Sequence, residues 1–120
     1  ECKMNHIELG QKGEDIATNH LIGKHYEIVD RNYRFRNAEI DIICKKDKKL
    51  IFVEVKTRHS SAFGEPYTAV TWKKQQQIIK VANHYIKQQN SDDDIRLDVI
   101  SIVLNQFGMR LEHIEHAFTP

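Results

Sequence analysis

A chain of 120 residues suits one domain spanning 1–120 and leaves no room for a second independent core. With 40% hydrophobic and 29% charged residues, 5 Gly and 2 Pro, it is neither disordered nor fibrous. Its apolar stretches, such as Val99 to Leu104, fall far short of the roughly 18 to 20 residues of a membrane span.

Net charge is +1, yet the segments 1–30, 31–90 and 91–120 carry −3, +8 and −4. The cations of the middle segment suit a polyanion if they fold onto one face, and are otherwise an ordinary solvated surface. Glu1, Lys3, His6 and Glu8 interrupt the start of the chain where a secretory signal would be apolar. Cys2 and Cys44 show neither CxxC spacing nor the density of a disulfide scaffold, so a cytoplasmic protein is expected. His113 and His116, the closest histidine pair, lack a further ligand at zinc-site spacing.

In chain order, residues 5–24 read as a helix with Ile16, Ala17, Leu21 and Ile22 on one stripe and a polar, acidic first half. Tyr26 to Tyr33, Ala38 to Lys45 and Lys49 to Thr57 are β-forming runs, expected as antiparallel neighbours. His59 to Thr68 is a loop by composition. Thr71 to Gln89 is a helix with Ile78, Val81, Ala82 and Tyr85 on its apolar face. After a polar break at Asn90 to Asp94, strands are expected at Ile95 to Leu104 and Met109 to Ala117 around a turn at Asn105 to Gly108. The order α-β-β-β-α-β-β predicts an α/β fold with a mixed central sheet flanked by helices. The second helix supplies the crossover that a parallel pairing of strands three and four requires.

The chemistry concentrates in Glu39-Ile40-Asp41 and Glu54-Val55-Lys56. Alternation puts Glu54 and Lys56 on one face, and Glu39 and Asp41 likewise. A two-residue turn at Asp47 and Lys48 sets Asp41 opposite Glu54 and Glu39 opposite Lys56. Two ionised carboxylates at about 4 Å repel by roughly 4 kcal/mol at an effective dielectric of 20. A divalent cation, Mg²⁺ or Mn²⁺, would compensate directly, with Lys56 placed to orient or deprotonate a water or to neutralise phosphate charge. The alternative is that the acids lie on the solvent side of the sheet and pair with Lys56, Arg58 or Arg36.

Five ordered segments carry a resemblance: Gly10-Gln-Lys-Gly13-Glu14-Asp15-Ile-Ala17, Arg31-Asn32-Tyr33-Arg34, Glu39-Ile-Asp41-Ile-Ile43, Phe52-Val-Glu54-Val-Lys56-Thr-Arg58 and Arg96-Leu-Asp98-Val. Together they resemble the YraN family of bacterial proteins, which is similar to archaeal-type Holliday junction resolvases and to the restriction-endonuclease-like PD-(D/E)XK nucleases. The resemblance covers roughly residues 6–116 and implies a restriction-endonuclease-like sheet. It implies Asp41 and Glu54 as metal-binding acids, Lys56 as the catalytic lysine and Glu14 as a further metal-site acid, with Ile40 standing where the motif has proline. For Glu14 the alternative is a helix-surface acid paired with Lys12 or Arg34.

The function so implied is Mg²⁺- or Mn²⁺-dependent cleavage of DNA, branched DNA included, by a homodimer. A non-catalytic DNA-binding or adaptor protein and an RNA nuclease are the alternatives. Arg31, Arg34, Arg36, Arg58, Lys73 and Lys74 are the candidate phosphate contacts. Trp72 and Tyr67 are expected to pack in the core or loop rather than stack on a base, and Asp98 to form a structural ion pair with Arg96.

Overall fold

Helix α1, His6–Gly23, begins in a capping box: the Asn5 side chain accepts from the Glu8 amide at 2.8 Å and the Glu8 carboxylate accepts from the Asn5 amide at 3.3 Å. The computed structural model describes residues 4–60 and 70–120. Cys2, Tyr67 and most of the expected loop at 59–68 lie outside the described residues. The buried face of α1 runs through Leu9, Gly13, Ala17 and Leu21. The polar first half therefore contributes to packing through Leu9 and Gly13, while Ile22, expected on the stripe, lies one position off it and is exposed.

Strands β1 (Glu27–Phe35), β2 (Ala38–Lys46) and β3 (Lys49–Arg58) form an antiparallel meander. Asp47 and Lys48 both adopt positive φ, as a two-residue hairpin requires to match the strand twist. This turn fixes the register from Lys46 opposite Lys49 to Ile42 opposite Val53, the register expected from the sequence. Helix α2, Trp72–Gln89, starts at the Thr71 N-cap and ends at Asn90 in the left-handed conformation. It carries the chain across to β4 (Asp94–Asn105), which pairs parallel with β3, and β5 (Gly108–Phe118) pairs antiparallel with β4. The sheet order is β1-β2-β3-β4-β5. The expected α-β-β-β-α-β-β order and mixed α/β sheet are therefore present.

One helix covers each face. Ala17 and Leu21 of α1 pack with Ile42, Cys44, Ile51, Val53, Ile100 and Ile102. Ile78, Val81, Ala82 and Tyr85 of α2 pack with Ile43, Leu50, Phe52, Leu97 and Val99. Burial on both faces explains why β3 reads as a nearly continuous apolar run until Glu54.

A polar cluster joins β4 and β5 to Tyr26, the residue before β1. Asp98 accepts from Arg96 Nε and Nη2 at 2.9 Å each, lies 2.7 Å from His113 Nε2 and accepts from the His116 amide at 3.0 Å. Arg96 also donates to the Tyr26 hydroxyl at 2.7 Å and pairs with Glu115 at 3.2 Å. The expected Arg96–Asp98 ion pair is thus the centre of a network that ties β5 to β4. Burial opposes ionisation of Asp98, but the hydrogen bonds from His113, Arg96 and the His116 amide outweigh it and hold this carboxyl below its ordinary range.

Candidate active site

The β2–β3 ladder stops one residue short of the acid pair. Beyond Ile42 and Val53, the amide of Val55 donates at 2.8 Å to Oδ2 of Asp41. The carboxylate takes over a backbone donor that a continuing ladder would use, which fixes the Asp41 side chain at the point where the two strands part. Glu54 is only 6% exposed, so the pair is not on the solvent side of the sheet.

Asp41 and Glu54 are close enough to hydrogen bond to each other. Burial first, then the charge and hydrogen bond of Glu54, push the Asp41 carboxyl up to about 8, against the opposing Val55 hydrogen bond. Near neutral pH the Asp41 carboxyl therefore favours its protonated form.

Lys74 pairs with the site, its Nζ 3.8 Å from Glu54 Oε2. It reaches inward because it sits four residues before Ile78, on the buried stripe of α2. The sequence singles out Lys74 as a phosphate contact, and its ion pair with Glu54 was not foreseen. Lys56 is half-buried and follows Glu54 on the same face of β3.

Glu14 comes to this end of the sheet through a close approach of α1 to β3. A Cβ at Gly13 would overlap the Thr57 side chain, so only glycine lets the helix lie so near. Glu14 accepts from Asn32 Nδ2 at 3.0 and 3.1 Å and pairs with Arg31 at 3.4 Å. Burial raises its pKa, the Asn32 hydrogen bond opposes that shift, and the charge of Asp41 adds to it. Glu14 is thus within electrostatic reach of Asp41, but its partners are Arg31 and Asn32 rather than Lys12 or Arg34. Asn32, in the left-handed region within β1, was not marked as a site residue; its only signal was an asparagine inside a β-forming run.

The other candidate cations disperse. Arg31 pairs with Asp15 at 2.9 Å as well as with Glu14. Arg34 is exposed and pairs with Glu39 at 3.1 Å, which occupies the acid expected opposite Lys56. Arg36, at the β1–β2 turn with positive φ, lies over the Phe35 ring at 5.1 Å. Arg58 is half-buried at the end of β3, and Lys73 is exposed on the first turn of α2. Trp72 does not pack as expected: it is 73% exposed, because the stripe through Ile78, Val81, Ala82 and Tyr85 projects back to positions 74 and 75 rather than to 72.

Among the described residues, no three His, Cys, Asp or Glu side chains form a ready metal cage. The two hard carboxylate donors nonetheless fit Mg²⁺ or Mn²⁺, which commonly takes one or two protein carboxylates and fills its octahedron with water and substrate phosphate. Among the described residues no helix is long and apolar enough to cross a membrane.

Residues 13–102 match the model of a family described as uncharacterised protein family UPF0102. A UPF0102 protein of Christiangramia forsetii is 46% identical over 113 residues, covering 94% of this chain and 95% of that protein. One from Clostridioides difficile is 44% identical over 116 residues, covering 96% and 100%. Among solved structures, Pyrococcus furiosus SfsA in complex with Ca²⁺ is similar with a TM-score of 0.38 at 12% identity, over 96% of this chain and 72% of that one; at that level nothing is carried across to the site.

Proposed function

The chain belongs to the UPF0102 family, and from that premise we propose that it is a divalent-cation-dependent nuclease of the cytosol that cleaves phosphodiester bonds in DNA. The observation that carries this reading is the pair of half-buried Asp41 and buried Glu54 at the parting of β2 and β3, with Lys56 following Glu54 on the same face. Asp41 and Glu54-Val55-Lys56 keep the order of the PD-(D/E)XK pattern, with Ile40 in place of its proline.

In this reading Asp41 and Glu54 hold Mg²⁺ or Mn²⁺, which when bound supplies the positive charge that polarises the scissile phosphate and acidifies water. Val55 keeps Asp41 aimed through its backbone amide, so that one donor oxygen is positioned before any ligand arrives. Lys56 lies where its ammonium orients the attacking water or offsets charge that builds on the phosphate in the transition state. Lys74, 3.8 Å from Glu54, would be placed to meet a phosphate oxygen at the same site. Glu14 adds negative charge from the α1 side.

The test is cleavage of a labelled panel of duplex, single strand, flap, four-way junction and RNA with Mg²⁺ or Mn²⁺, beside the Lys56→Ala variant. Cleavage that disappears in the variant supports the nuclease, and the panel identifies its substrate. Binding across the panel without cleavage makes this a non-catalytic nucleic-acid-binding protein on the same scaffold.

A further inference from the structure

Helix α2 carries four lysines and no aspartate or glutamate in its 18 residues. Lys74 meets Glu54, and the other three, Lys73, Lys80 and Lys87, are exposed and recur every seven residues. Residues seven apart drift by only about 20° round an α-helix, so these three form one line, about 10.5 Å between neighbours and about 21 Å end to end. It begins one residue before Lys74 and about 100° round the helix from it. His84, four residues after Lys80 and three before Lys87, shares this face, and its ring stacks on Phe35 at 3.7 Å. Arg36, exposed at the β1–β2 turn, lies over the same Phe35 ring at 5.1 Å, which brings a fourth cation to this side of α2. Among the described residues, Arg31, Arg34, Lys74 and Arg96 are held in ion pairs, whereas Lys73, Lys80, Lys87 and Arg36 have no acidic partner.

We propose that this face of α2, with Arg36, is a track for the sugar–phosphate backbone of a DNA duplex arm outside the cleaved bond. This rests on the nuclease reading above and deepens it by naming how the uncut part of the substrate is held. A row of phosphates relieves the mutual repulsion of unpaired cations and gives up its condensed counterions. The line matches the axial rise of about six base pairs at 3.4 Å each. The rings on this face are engaged with one another, His84 with Phe35 and Tyr33 and Phe35 with Arg36. The face thus offers charge without the free aromatic platforms that single-strand binders use. The apolar stripe of α2 is packed on the sheet, so the helix has none to bury in a lipid surface.

The full chain is titrated, in EDTA and in Ca²⁺, with a dye-labelled duplex of about 16 base pairs and a single strand of the same length, between about 50 and 200 mM salt, and anisotropy follows binding. Lys80→Gln/Lys87→Gln should lower the salt slope of log K on the duplex by about 1.8, at about 0.9 per phosphate contact, and weaken binding at least about tenfold at 0.1 M salt. Lys80→Arg/Lys87→Arg should retain both slope and affinity. Lys45→Gln/Lys49→Gln removes the same charge from exposed positions at the other end of the β2–β3 ladder and should move the slope by less than about 0.5. Equal loss in the two glutamine variants assigns the effect to net charge and overturns the track, as does an unchanged slope in Lys80→Gln/Lys87→Gln; in either case the nuclease reading stands. Weakening confined to the single strand overturns the duplex assignment. Failure of the parent chain to bind either probe overturns both readings.

Discussion

Gly13 on α1 and Thr57 on β3 touch so closely that a methyl group at Gly13 would overlap the threonine side chain. This contact sets the depth of the helix and so the position of Glu14, the next residue, relative to Asp41. Gly13→Ala is expected to destabilise the fold by about 1–3 kcal/mol through overpacking. Thr57→Gly in the same chain should recover part of that loss by clearing the space. Urea unfolding of the three variants beside the parent measures both; an unchanged midpoint for Gly13→Ala would show that α1 shifts without cost.

Cation binding at the acid pair should appear as stability before any activity is assayed. At a concentration near 100 times Kd, Mn²⁺ is expected to stabilise the parent chain by about 2.7 kcal/mol. Asp41→Ala should show only a small fraction of that gain. Thermal unfolding with and without Mn²⁺ decides it, since equal shifts in both proteins would remove Asp41 from the cation site.

The same pair gives the cation-free protein an unusual pH dependence. The Asp41 carboxyl is raised from its ordinary 3.8 to about 8 in the folded state, chiefly by burial and then by Glu54. The folded state therefore holds a proton that the unfolded chain releases. The stabilisation from that proton is fully present below about pH 4 and is lost as pH rises through about 8. Stability in EDTA should fall across that window, and Asp41→Asn, which mimics the protonated acid, should remove most of the slope. A flat profile for the parent between pH 5 and 9 would contradict the raised Asp41 carboxyl.

Asp98 works in the opposite direction. Its folded pKa is lowered, so its contribution is present above about pH 4 and is lost on acidification. Asp98→Ala leaves Arg96 and His113 without their shared partner inside the protein and should cost about 3–5 kcal/mol at neutral pH. Chemical denaturation reads this directly, and a loss below about 1 kcal/mol would mean that Tyr26 and Glu115 suffice to satisfy Arg96.

Much of the fold was legible because its signals are local. The Asp47-Lys48 hairpin set the β2–β3 register, which carries the strands as far as Ile42 opposite Val53 and so delivers Asp41 and Glu54 to the point where they part; that the ladder ends there, with Asp41 taking the Val55 amide, was not legible. The parallel pairing of β3 with β4 followed from the length of the helix between them. What stayed hidden depends on contacts distant in sequence. Nothing near Gly13 announces that Thr57 will press against it, and nothing near Glu14 announces Asn32. Lys74 could have been aimed at the sheet by continuing the α2 stripe backward by one turn, and the same extension would have turned Trp72 outward. The β4–β5 turn was legible, but that His113 meets Asp98 depends on the register, which shifts between Leu97 and Val99.

The two outer strands each contain a break in regular pairing. Val29 is passed over where β1 shifts register between Ile28 and Asp30, and β5 bends at His116, which has positive φ where its partner strand shifts between Leu97 and Val99. The β5 edge also carries Arg110, Glu112 and Glu115, all exposed. Irregular, charged edges are poor templates for another strand, so both margins of the sheet resist extension into a continuous intermolecular sheet. The kink at His116 is held by the Asp98 carboxylate through the backbone amide, which makes the buried acid that anchors β5 also a guard against aggregation along that margin.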